Sequence, residues 1–247
     1  MVPDQAHGLR RMFAAPGPRV LGVLGMDATG LAVELAAAFG RQSLRVLLLD
    51  RSCGAAAAAL GLKARYEWRH VLEGDRPLRQ VALEGPGALV VLPAARALAA
   101  LDDAPTAQAQ QRLAELDSAL GGFDVLLFNG APLAVPGAGV VLSLAPSSAA
   151  LTLAYTELKA LARKGHARQC DIVIQHARSE AAALDAFDSV ALTAGRFLGM
   201  TLALAGTLPG ARPGRPSNTD TGRSRAASSI ALRLASGPPA ARMAVNH

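Results

Sequence analysis

The chain has 247 residues, 51% of them hydrophobic, 4% aromatic and 18% charged, with a net charge of +6. That length and apolar content suit one α/β domain, and the scarcity of aromatic residues argues for helices packed on a parallel sheet and against an all-β sandwich. No stretch approaches the roughly 18 to 20 unbroken apolar residues of a membrane-spanning helix, and no apolar run follows a basic start. The two cysteines, Cys53 and Cys170, lie in unrelated segments without metal-ligand spacing, which points to a reducing, cytoplasmic compartment.

The elements follow in order. Residues 1–18 contain Asp4–Arg10, which has the spacing of a short helix, and close on Pro16, Gly17 and Pro18, which set this segment off as a flexible arm. An apolar strand over Arg19–Leu24 enters a glycine-rich turn, Gly25–Gly30, and an alanine-rich helix then runs to about Gly40. A second strand, Arg45–Leu49, ends at Asp50. An Ala-rich segment to Leu62 and a short helix over Trp68–Leu72 lead to a strand over Ala88–Leu92, a helix over Thr106–Leu120 and a strand over Phe123–Phe128. The strand Gly139–Leu144 feeds Ser147 and Ser148, good N-cap residues for a helix to about Lys164. A strand over Asp171–Ile174, a helix over Glu180–Phe197 and a strand over Leu202–Gly206 follow. Repeated strand and helix units with apolar strands predict a doubly wound, mostly parallel sheet over 19–208.

Residues 209–247 have a different composition. Arg212, Arg215, Arg223, Arg225, Arg233 and Arg242 face the single acid Asp220, so most of the net charge lies here. Pro and Gly interrupt the segment, which predicts a basic, mostly disordered tail with one short helix, Arg223–Ala235, carrying Ala227, Ile230 and Leu234 on one face.

The strand, glycine-rich turn and helix at 19–40 are laid out like the phosphate-binding start of a P-loop ATPase, but no lysine occurs before Lys63. The chain resembles the ParA/MinD family of deviant P-loop ATPases, and within it the FlhG (FleN/YlxH) group of flagellar number and placement regulators. Asp4–Arg10 is similar to that group's D-Q-A-x-x-L-R segment. Arg45–Asp50, Ala59–Leu62, His70–Gly74, Leu92–Ala95, Ala154–Tyr155, Gly195–Leu198 and Gly206–Pro209 match in order and spacing, so the resemblance spans nearly all of the chain before the tail. It implies a SIMIBI-type MinD/ParA fold and, in an intact member, dimerisation around ATP.

The departures fall where that chemistry should sit. Aligned with the family's K-G-G-x-G-K-T turn, Val23 and Ala28 replace both lysines, Asp27 replaces a glycine beside the phosphates, and Thr29 remains beyond Gly25. The D-x-D after the second strand reads Asp50, Arg51, Ser52; the Walker B-type acid is Asn129; the asparagine that contacts adenine aligns with Gln175. Phosphoryl transfer is mostly positioning and charge stabilisation, so losing the lysine, a metal ligand and the water-orienting acid together removes its basis. The expectation is a vestigial nucleotide site at Val23, Gly25, Ala28, Thr29, Ser52 and Asn129, with no catalytic residues, no ATPase activity, no required cofactor and at most weak binding of Mg-ATP. His7, His70, His166, His176 and His247 stand in separate segments, so no metal site is expected. The alternative is a divergent but active MinD/ParA-type ATPase that dimerises on nucleotide.

The resemblance moves the function to the arm. It implies that Asp4, Gln5, Ala6, Leu9 and Arg10 bind and stimulate the signal-recognition-type GTPase FlhF, with Gln5 orienting water and Arg10 contacting phosphates or the partner surface. Flagellar switch or export components are further expected partners, and the basic tail is expected to give weak contact with the inner membrane near the cell pole or flagellar base. Aromatic residues interleaved with the tail's cations are absent, and no specific nucleic acid is expected. Without an ATP sandwich, the expected state is a monomer or a dimer indifferent to nucleotide.

Overall fold

The computed structural model describes residues 18–164, 168–210 and 221–236. The arm residues Asp4, Gln5, Ala6, Leu9 and Arg10 lie outside the described residues, as do His7, His166 and His247.

Strand β1 (Arg19–Gly25) is followed by α1 (Ala28–Arg41), β2 (Val46–Asp50), α2 (Ala55–Ala59), α3 (Trp68–Leu72), α4 (Leu78–Val81), β3 (Leu83–Glu84), β4 (Leu89–Pro93), α5 (Ala95–Asp102) and α6 (Thr106–Ala119). Then come β5 (Val125–Asn129), β6 (Gly139–Leu144), α7 (Ser148–Lys164), β7 (Gln169–Gln175), α8 (Glu180–Leu198), β8 (Thr201–Leu208) and α9 (Thr221–Ser236). The strands form one sheet in the order β3-β4-β2-β5-β1-β6-β7-β8, parallel except for the β3–β4 pair. The expected doubly wound, mostly parallel α/β architecture is therefore correct. The central strands are apolar runs, Val46–Leu49 and Val125–Phe128 among them, because helices cover both faces. One face is sealed by α1, α2 and α9; the other carries Trp68, Leu98, Leu113 and Leu116 toward one edge and α7 with α8 toward the other. Ser147 caps α7 as its sequence suggests, its hydroxyl accepting from the Ala150 N–H.

Three short elements exceed what apolar periodicity can register: two-residue β3, four-residue α4, and α5, whose alanines directly follow the strand end at Pro93. The larger correction concerns the segment after 208. Residues 221–236 belong to the domain: α9 packs along α1 and β8, burying Ala227, Ile230, Ala231 and Leu234. Ile230 fits into a notch at Gly206, whose φ of +156° and missing side chain both matter, since a Cβ there would lie 2.8 Å from Ile230 Cγ1. The apolar face of the short helix expected in the tail, Ala227, Ile230 and Leu234, is thus the face that docks on the body. No described helix is long and apolar enough to cross a membrane.

Charge fixes the register of α9. Arg223 is 5% exposed, and its guanidinium donates to Glu34 on α1, to the Gln175 side chain at the end of β7 and to the Pro209 carbonyl beyond β8. Its ion pair with Glu34 measures 2.7 Å. At the C-terminal end of α1, the Arg41 side chain donates to the Ser224 carbonyl and the Ser228 hydroxyl. Breaking one partner of a buried pair leaves the other uncompensated, so Arg223→Ala is expected to cost about 3–5 kcal/mol of stability. Urea unfolding measures this, and a loss under about 1 kcal/mol would contradict the latch.

Candidate functional site

The carboxyl ends of parallel strands are where doubly wound folds bind ligands. Here β1, β2, β5 and β7 bring the suspected nucleotide residues to that edge, with Val23 beside Asn129 in the β1–β5 register. The side chains at this edge bind one another.

In the glycine-rich turn, Gly25 has φ +93°, and a Cβ there would lie 2.1 Å from the Ser143 carbonyl oxygen, so β6 requires glycine. Val23 is fully buried in the core under α1, and Ala28 opens that helix. Asp27 takes a left-handed conformation, φ 54°, and caps α1 by accepting from the Gly30 N–H at 3.2 Å. The half-buried Glu157 carboxyl of α7 sits by the Gly25 N–H, which opposes the upward effect of burial on its pKa. Asp27 therefore holds a backbone donor of the turn that a phosphate oxygen would need, and Glu157 sets a second carboxyl group beside the turn.

Beside the turn, Asp50 is fully buried. One of its oxygens accepts from the Ser52 N–H (2.8 Å), the Ser52 hydroxyl (2.5 Å) and the Asn129 amide (2.9 Å), the other from the Ala56 N–H at the start of α2 (3.2 Å). The same Asn129 amide nitrogen lies 2.8 Å from Ser52 Oγ and 3.5 Å from Thr29 Oγ1, and its oxygen accepts from the Arg51 N–H. Arg51 turns away into a bidentate pair with Asp102, 2.7 and 2.9 Å. The structure thus brings Thr29, Ser52 and Asn129 together and joins them to Asp50; Val23 and Ala28 do not join the network. The arrangement consists of one carboxylate fully occupied by donors, with a neutral amide where a second carboxylate would complete a cation site.

On the far side of β1, Gln175 and Ser143 are 1% and 2% exposed and bonded to each other at 2.7 Å. The Gln175 oxygen accepts from Arg223 at 2.9 Å, so the residue aligned with the family's adenine contact serves as a ligand of α9. Reading the sequence missed Arg223, Glu34 and Glu157. The available signal for Arg223 was an arginine at helical spacing from Ala227, Ile230 and Leu234.

Other chemistry lies apart. A cavity of about 340 Å³ beyond β2 and β4 is lined by Cys53, Tyr66, Glu67, His70 and Arg96 and includes no turn residue. Among the described residues, no three His, Cys, Asp or Glu side chains gather to hold a metal. Burial pushes the Cys170 thiol far up, which keeps it inert, while Cys53 is exposed.

Two substitutions test this network. Asn129→Asp would set a second carboxylate 2.9 Å from the buried Asp50 oxygen; like charges this close are expected to cost about 3 kcal/mol at pH 7, read by chemical unfolding. Burial raises the Glu157 carboxyl above its ordinary 4.5, against the opposing pull of the nearby Gly25 N–H. A raised acid stabilises the fold below its unfolded pKa and loses that contribution as pH rises through the folded one. The Tm of the Glu157→Gln variant should therefore decline less than the parent's between pH 4.5 and neutrality, and parallel Tm curves would refute the assignment.

No family model matches the chain. Its sequence is 28% identical over 200 residues to the antiactivator FleN of Pseudomonas aeruginosa, covering 75% of this chain and 70% of that protein. Its fold is similar to the MinD cell division protein of Aquifex aeolicus, with a TM-score of 0.64, 19% identity, and 88% and 96% of the two chains covered. It is also similar to a putative plasmid partition protein of Borrelia burgdorferi bound to AMPPNP, with a TM-score of 0.58, 13% identity, and 89% and 98% covered. Sequence and fold converge on one group: the chain is similar to FleN, also called FlhG, and carries the α/β fold of the MinD/ParA-type P-loop ATPases.

Proposed function

We propose that this chain is an FlhG-like regulator of flagellar number, placement and assembly that lacks ATPase chemistry and acts by binding other proteins. The observation that carries the reading is the Asn129 amide, 2.9 Å from Asp50 and 2.8 Å from Ser52, which replaces a metal-binding acid with a neutral donor already engaged by the protein. With Val23 and Ala28 at both lysine positions, neither Mg²⁺ nor the γ-phosphate has the charges that phosphoryl transfer requires. The similarity to an antiactivator supports a regulatory role, and the fold is shared with MinD solved in complex with MinC, at a TM-score of 0.63, which supports a body that works through partner proteins.

The partner we infer is an FlhF-like GTPase, engaged through Asp4, Gln5, Ala6, Leu9 and Arg10, with flagellar switch or export components meeting the body. The place of action is the cytoplasmic side of the inner membrane near the cell pole or flagellar base. The divergent-ATPase alternative requires phosphate release that depends on this chain and Mg²⁺.

The test is FlhF GTP turnover with and without this protein. Stimulation of about tenfold or more is expected, as for a water-positioning or arginine contribution supplied in trans, and deleting residues 1–15 or replacing Gln5→Ala should remove most of it. No stimulation, or stimulation unchanged by the deletion, would refute the arm mechanism. ATP-derived phosphate release above background would refute the loss of ATPase chemistry.

A further inference from the structure

Helix α8 carries large apolar side chains on the side turned away from its own core. It buries Ala183, Ala186, Val190 and Ala194, while Leu184 is 44% and Leu192 74% exposed. Leu184, Asp188, Leu192 and Arg196 follow one another at four-residue intervals, so they form a single stripe, and Asp188 and Arg196 are exposed like the leucines. Leu192 sits at its centre with an acid one turn before it and a base one turn after.

Asp188 and Arg196 are about 12 Å apart along the helix axis, at 1.5 Å per residue, which is too far to pair with each other. Among the described residues neither has a salt-bridge partner, and Arg196 lies over its neighbour Phe197, which is 64% exposed. The part of the stripe from Asp188 to Arg196 is self-complementary under a two-fold axis through Leu192, with Leu184 beyond the paired span. Two antiparallel copies of α8 would set Leu192 against Leu192, each Asp188 against Arg196 of the second copy, and the small Ser189 against Gly195, which permits close approach. Both signs of charge on the stripe disfavour an anionic surface, which would repel Asp188 and the exposed Asp185 beside it.

We propose that the exposed face of α8 is a dimer interface that pairs two copies of this chain antiparallel about Leu192, without nucleotide. α8 packs on α7, β7 and β8, on the sheet face opposite α1 and α9. One helix pair buries less than the ~1,200 Å² of a standard stable interface, so the dimer forms in the micromolar range or weaker.

Sedimentation equilibrium of the full chain without nucleotide, up to about 500 μM, tests this, with circular dichroism verifying that each variant folds. Concentration-dependent dimerisation is expected, abolished by Leu192→Glu. Asp188→Arg and Arg196→Asp should each weaken it about tenfold, and the double swap should recover most of the loss, because it rebuilds both pairs in the opposite sense. A parent that stays monomeric, a dimer insensitive to Leu192→Glu, or a double swap as weak as the singles would overturn the proposal.

Discussion

Removing a guanidinium from water costs several kcal/mol unless its N–H groups find acceptors, and at Arg223 those acceptors come from α1, the end of β7 and the chain leaving β8. The requirement orders the carboxyl edge of the sheet. Glu34 must point across α1 toward α9, Gln175 must turn its oxygen to Arg223, and its amide must then donate to Ser143. Ser143 belongs to the strand against which Gly25 is pressed, so the position of α9 is linked to the glycine-rich turn through two side-chain hydrogen bonds and the β1–β6 pairing. The apolar contacts of Ala227, Ile230 and Ala231 supply burial; the charge supplies the register.

The same principle operates on both sides of β1. The Gly30 N–H, a backbone donor that could hold an anion, donates to the chain's own Asp27, and the Glu157 carboxyl sits by Gly25. The buried acid that could hold a cation is bonded to Ser52, Asn129 and the start of α2. In a site built for nucleotide, such groups wait for phosphate and metal, at some cost to the empty fold. Here their mutual bonding stabilises the fold without a ligand, in keeping with a body that presents surfaces to partner proteins.

The central strands were legible in the sequence because a parallel sheet covered on both faces demands unbroken apolar runs, as at Val46–Leu49 and Gly139–Leu144. The resemblance sets Val23, Ala28, Ser52 and Asn129 at places where the family's motif carries charges, an expectation legible in the sequence. What these positions and their neighbours bond to was not. Glu34 and Arg223 are 189 residues apart, and no local pattern announces that such residues meet. The Pro- and Gly-rich stretch before α9 and the surplus of arginine read as a solvated tail, although an interface with small residues at Ala227 and Ala231 needs little hydrophobic area to dock closely. Asp27 read as the replacement of a glycine beside the phosphates; its local role as the cap of α1 depends on a left-handed φ that sequence alone does not specify.

A calorimetric titration of the full chain with Mg-ATP addresses the central claim directly, that the protein's own side chains fill its nucleotide site. The account predicts no saturable heat up to about 1 mM, since binding would have to displace Asp27 and Arg223 from their partners and would regain no lysine contact. Saturable binding with a Kd in the micromolar range would contradict it.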